Sequence, residues 1–249
     1  MTVTTEIVVF NIESAMNAQK GGADRIELCD NPAEGGTTPS YGVMDIVRQA
    51  LSIDVYAMIR PRGGDFVYSS YEYHAMKRDI EMCKRASLDG VVFGILKPDG
   101  TLDKERCKKL IDAARPMNVT CHRAFDVTRD PFEALEDCIE VGFDRILTSG
   151  QAQTAPEGLD LIKKLVAKAG NRISIMPGSG IHEENAKQII DYTGAKEIHF
   201  SGKEFHPSAY QGAIRFTDSL PEQTGKFITN PDKVRKVVEM LREENINRQ

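Results

Sequence analysis

Ionisable and small polar residues gather where short apolar runs of this chain end. The run Arg25-Ile26-Glu27-Leu28-Cys29 alternates in character. In a strand, Ile26 and Leu28 share one face, and Arg25, Glu27 and Cys29 the other. A carboxylate turned into an interior is costly unless it is paired or hydrogen-bonded. Glu27 therefore reads either as an acid/base group or as half of an ion pair with a nearby arginine. Arg60-Pro61-Arg62-Gly63-Gly64-Asp65 closes another run. Guanidinium forks suit carboxylate or phosphate, and the glycine pair permits close backbone approach. We read Arg60, Arg62 and Asp65 as an anion-binding group, against a plain surface loop.

Cys121-His122-Arg123-Ala124-Phe125-Asp126 closes a further run. Histidine titrates near neutral pH, and Asp126 is expected to orient or balance it. Cys121 and His122 are adjacent and face opposite ways, so they do not share a metal. The bland reading of His122 is a core histidine. Thr148-Ser149-Gly150, Pro177-Gly178-Ser179-Gly180 and His199-Phe200-Ser201-Gly202 end three more runs. Such loops either turn the chain or present backbone N–H groups to phosphate. The candidate catalytic residues are thus Glu27, His122 and Asp126. The candidate ligand-binding residues are Arg60, Arg62, Asp65, Arg123, Ser149, Gly178, Gly180, His199 and Ser201. No triad order, metal-ligand spacing or nucleotide fingerprint names a reaction, and no nucleotide cofactor is expected.

The elements that must position these residues recur. Segments 21–29, 87–95, 141–150 and 193–202 each end a helix on a turn and launch a strand. Between them lie strand-like runs at 55–61, 119–125 and 173–180, and 6–11 stands at the front. Helical periodicity fills the gaps at 12–20, 39–50, 71–86, 101–114 (with Thr101 as its cap), 128–141, 156–169, 182–193 and 231–244. Eight βα units in 249 residues predict an α/β fold, a single (β/α)8 TIM barrel spanning residues 1–249. Active sites of such barrels sit at the C-terminal strand ends, where the candidates fall. Residues 203–229 read as an irregular insertion before the last helix.

The net charge of −5 gives no basic footprint for nucleic acid. No run approaches a membrane span, and no apolar leader follows Met1, so a cytoplasmic location is expected. Five cysteines without a C-x-x-C argue against a disulfide framework or a zinc site. The cations at the strand ends suggest a small anionic ligand.

The motifs GGADRIELCDNPAEGGTTPSYG, IRPRGGDFVYSS, HRAFD and RILTSG resemble the CutC family, described as copper homeostasis proteins, over residues 6–202. The resemblance implies a cytoplasmic (β/α)8 barrel, assembling as a dimer, linked to copper tolerance and suggested to bind Cu(I). Cu(I) prefers thiolate and thioether ligands. Relatives often carry cysteine at the end of the first strand, whereas this chain reads Val8-Val9-Phe10-Asn11. Cys29 matches the family motif and is the candidate metal ligand. Cys121 stands where phenylalanine is common. Three functions follow: a Cu(I)-binding protein centred on Cys29, a barrel enzyme acting on a small phosphorylated or carboxylated metabolite, and a non-catalytic effector-binding scaffold.

Overall fold

The computed structural model describes residues 3–209 and 225–247. Eight parallel strands alternate with eight helices. The strands are β1 (Thr4–Val9), β2 (Arg25–Leu28), β3 (Asp54–Met58), β4 (Gly90–Phe93), β5 (Asn118–Cys121), β6 (Arg145–Thr148), β7 (Ser174–Pro177) and β8 (Glu197–Phe200). The helices are α1 (Ile12–Lys20), α2 (Tyr41–Ala50), α3 (Ser70–Arg85), α4 (Lys104–Ala114), α5 (Pro131–Val141), α6 (Leu159–Ala169), α7 (Ala186–Thr193) and α8 (Pro231–Asn247). The sheet runs β7-β6-β5-β4-β3-β2-β1-β8, and a parallel bridge from Gly178 to His199 joins its two edges. The fold is the (β/α)8 barrel expected from the repeat.

Local chemistry sets the helix starts. Ser69 and Glu72 form a reciprocal capping box for α3. Asp130 caps α5 ahead of Pro131, and Asn230 accepts from the Asp232 amide at the start of α8. Thr101 does not cap α4. That role belongs to Asp103, whose carboxylate accepts from the Arg106 amide at 3.1 Å. The fifth run is also shorter than the sequence suggests. β5 stops at Cys121, and Arg123–Val127 winds into a 3-10 turn. The ends of the 203–229 segment are regular, not irregular: β9 (Lys203–Pro207) pairs antiparallel with β10 (Gly225–Thr229). Their alternation is hidden because β9 is solvent-exposed on both faces. Residues 210–224 lie outside the described residues.

Outward-facing strand residues such as Ile7, Ile26, Val55, Val91, Val119 and Ile146 pack against the helices in one apolar core. The inward-facing residues at the strand starts are ionic. Arg25 donates to Glu6 and Glu197, both at 2.5 Å, and Arg145 donates to Glu197 at 3.0 Å. Both guanidinium groups lie over the Tyr56 ring, at 4.8 and 5.1 Å. The Tyr56 ring in turn occupies the space that a Cβ at Gly90 would take, 2.6 Å away. Removing one partner of such a buried set leaves the others uncompensated, at a cost of about 3–5 kcal/mol. Arg25→Met is therefore expected to lower unfolding free energy by about that amount in urea titrations; a loss under about 1 kcal/mol would contradict this account.

Candidate functional site

A cavity of about 670 Å³ opens at the C-terminal ends of the strands. Its polar lining includes Glu27, Arg60, His122, Arg123, His199 and Lys203. Val8, Phe10, Met58, Phe66, Leu147 and Phe200 supply apolar wall.

Glu27 projects inward from β2 and is 2 % exposed. Its Oε2 lies 3.8 Å from Nε2 of His199, and its Oε1 has no hydrogen-bond partner. Burial, reinforced by the nearby Glu6 charge and opposed by His199, pushes its carboxyl up from 4.5 to about 7. His199 comes from β8, and its Nδ1 meets Glu6 Oε1 at 2.7 Å. Burial opposes the charge on His199, but the Glu6 hydrogen bond and the two carboxylates raise its pKa overall. Burial would also raise Glu6, yet Arg25 and His199 hold it well below the usual carboxylate range. A continuous chain, Arg25–Glu6–His199–Glu27, thus links the ionic strand starts to the cavity.

His122 follows β5 and is buried. Its Nδ1 accepts the Ala124 amide at 3.2 Å, so a neutral ring carries its proton on Nε2. Among the described residues that Nε2 has no partner. Burial, then the charge of Arg60, lowers its pKa to about 3. The ring packs on Phe66 at 4.8 Å between centroids, and a Cβ at Gly94 would lie 3.0 Å from its Nδ1. A neutral imidazole locked in one tautomer is a hydrogen-bond donor to whatever fills the cavity.

Several sequence expectations are revised. Asp126 does not touch His122. It accepts from the Thr148 hydroxyl, from Ser149 N at 3.0 Å and Oγ at 2.9 Å, and from Gln151 N at 3.2 Å, and it pairs with Arg123 at 2.8 Å. It lines the cavity, but its carboxylate is engaged in building the loop after β6. Ser149 is fully buried in that loop and is not in the cavity lining. Arg60 lines the cavity, yet its guanidinium donates to the carbonyls of Glu34, Gly36 and Gly64 at 2.6–2.9 Å. Arg62 and Asp65 lie outside the lining. Arg62 pairs with Glu72 at 2.5 Å and Asp65 at 3.1 Å, so the expected anion clamp is a loop staple. Gly178 also lies outside the lining; its role is the bridge that closes the barrel, and a Cβ there would meet Leu147 at 2.5 Å.

Gly180 and Ser201 do line the cavity. Ser179 and Gly180 both have left-handed φ, +78° and +71°. The Ser179 strain is offset by ties to residues 153 and 155, through its hydroxyl and its carbonyl. Among the described residues the N–H groups of Gly180 and Ile181 meet no backbone acceptor, whereas that of Ser179 belongs to the bridge between Gly178 and His199. Lys203 and His182, which we did not anticipate, complete this rim. Lys203 was findable: it follows the Ser201-Gly202 strand end.

The copper donor set fails a direct test. Among the described residues no group of three or more His, Cys, Asp or Glu side chains is placed to hold a metal ion. Cys29 is 2 % exposed, and burial together with the Glu27 charge pushes its thiol well up, away from the thiolate that Cu(I) needs. Cys29 is therefore a poor metal ligand in this arrangement.

The CutC family model matches residues 3–204. The chain belongs to the CutC family. It is 51 % identical over 203 residues to the human copper homeostasis protein cutC homolog, covering 82 % of this chain and 74 % of that one. The mouse homolog is 45 % identical, covering 97 % and 87 %. The crystal structure of a CutC from Streptococcus agalactiae is 38 % identical, with a TM-score of 0.77, covering 80 % of this chain and 98 % of that chain. A thiamine phosphate pyrophosphorylase from Pyrococcus furiosus, 15 % identical with a TM-score of 0.59, shares the barrel fold.

The raised Glu27 carboxyl has a thermodynamic consequence. Below pH 4.5 both folded and unfolded chains hold its proton. Between 4.5 and about 7 the unfolded chain releases it first, so stability falls as pH rises and then levels. Glu27→Gln removes that decline. The variant should be more stable than wild type at pH 8 by on the order of 1–3 kcal/mol, with the gap closing at pH 4.5. Urea unfolding at both pH values checks this; an unchanged gap contradicts it.

Proposed function

We propose that this protein serves copper homeostasis, as the names of its relatives say, through acid–base chemistry on a small anionic molecule at the barrel mouth. Cu(I) held at Cys29 is the reading the donor set disfavours. The observation that carries the proposal is three buried polar atoms, without partners among the described residues, on side chains that line one cavity: Glu27 Oε1, His122 Nε2 and Arg60 Nε. Buried polar atoms are nearly always satisfied, and several left unpartnered on lining side chains call for a ligand or water that reaches them. A carboxyl held near neutrality accepts and returns protons efficiently at cellular pH. Among the described residues no helix is long and apolar enough to cross a membrane, and the five buried free thiols suit the reducing cytoplasm.

Anaerobic Cu(I) competition against a chromogenic chelator separates the two readings. Wild type and Cys29→Ser are expected to compete equally weakly. A tight one-to-one site lost in Cys29→Ser would replace the small-molecule reading with a metal-binding one. A thermal-shift screen of phosphorylated and carboxylated metabolites supplies the positive arm. A stabilising compound should be turned over by wild type, and turnover should drop by about 10²-fold or more in Glu27→Gln with the fold unchanged.

A further inference from the structure

The cavity has three chemically distinct parts, and together they specify a reaction. Its floor holds Glu27, whose Oε2 faces His199 and whose Oε1 has no hydrogen-bond partner among the described residues. One wall includes His122, whose Nε2–H is buried just behind the lining, fixed in tautomer by the Ala124 amide and in position by Phe66. The rim after β7 and β8 carries two unengaged backbone N–H groups, at 180 and 181, beside Lys203. Ser179 and Gly180 both have positive φ, and turn backbone of this kind can present N–H groups to an anion. Apolar side chains, Val8, Phe10, Met58, Phe66 and Leu147, line the space and limit water there.

We propose that this mouth enolises a small phosphorylated carbonyl compound, with Glu27 as the base, His122 as the hydrogen-bond donor to the carbonyl oxygen, and the 179–181 loop with Lys203 as the phosphate seat. This rests on the small-molecule reading above and deepens it. Glu27 takes a proton from the carbon beside the carbonyl. The C–H electron pair becomes the new C=C bond, and the carbonyl π pair moves onto oxygen. His122 Nε2–H stabilises that oxygen without surrendering its proton, which a neutral imidazole does well where an imidazolium would protonate it outright. Glu27 then returns its proton to the same carbon, giving back the substrate, or to the neighbouring carbon while the enediol hydroxyl proton passes to the former carbonyl oxygen, giving the isomer. No oxidant or co-reactant is needed. The ionisations fit: a carboxyl near 7 is partly ionised at neutral pH, and a histidine near 3 stays neutral. His199, Glu6, Cys29 and Arg25 are the titratable groups that face Glu27, and the first two fix it as the acceptor end of the buried chain.

The test is hydrogen–deuterium exchange of carbon-bound protons, followed by proton NMR in D₂O near pD 7.4. The probes are dihydroxyacetone phosphate, glyceraldehyde 3-phosphate and ribulose 5-phosphate, with unphosphorylated dihydroxyacetone and pyruvate as controls. At least one phosphorylated probe should exchange well above the buffer rate. Exchange should fall by about 10²–10⁴-fold in Glu27→Gln and by about 10²-fold in His122→Asn, and Glu27→Asp should restore part of it. Lys203→Met should raise KM with little change in kcat. Exchange that survives Glu27→Gln overturns the proposal. A phosphorylated probe that stabilises wild type without exchanging sinks the enolisation but leaves the small-molecule site standing. Absence of both stabilisation and exchange sinks both.

Discussion

Charge balance inside the barrel is the constraint on which the rest depends. Two carboxylates, Glu6 and Glu197, face two guanidiniums, Arg25 and Arg145, at the strand starts. That set is neutral, and Glu6 carries it on to His199. Glu27 sits one inward position further along β2, where no arginine remains to pair with it. Its nearest cationic partner is His199, whose Nδ1 is already committed to Glu6. A buried carboxylate left over from a balanced network must rise in pKa, and it rises into the range useful for proton transfer. The ionic layer is thus both a structural floor and the reason Glu27 can serve as the base in the proposed reaction.

The upper part of the barrel spends its arginines on architecture. Arg60 and Arg62 pin the loop after β3 through carbonyls and carboxylates, and Arg123 joins Asp126 in shaping the loop after β6. What these loops then offer a ligand is mainly backbone N–H groups and Lys203, not forks of guanidinium. The bidentate clamp that a run of arginines in a sequence suggests is therefore absent from the cavity lining, and the phosphate seat proposed above rests on backbone N–H groups and Lys203.

The repeat made the barrel readable in the sequence, because βα units leave alternating runs at regular intervals, and the inward placement of Arg25, Glu27 and Cys29 followed from the period of a strand. Glu27, His122, His199, Gly180 and Ser201 reach the cavity as expected from strand-end position. What the sequence concealed is partner choice. Glu6 opens an ordinary apolar run, and only the three-dimensional register brings it against Arg25 and His199. Asp126 lies beside His122 in sequence but bonds residues 22–25 positions later. Arg62 finds Glu72 one helix start away. Motif letters name donors and acceptors; whether they face a ligand or their own backbone is settled by packing.

The most direct test of the central claim is the titration of Glu27 itself. Glutamate labelled with ¹³C at the side-chain carboxyl would be followed by NMR from pH 4 to 9, with Glu27→Gln identifying the resonance. The account predicts one glutamate titrating near pH 7 that disappears in the variant. A Glu27 resonance titrating near 4.5 would show that the carboxylate is paired or solvated after all, and the base at the mouth would be lost with it.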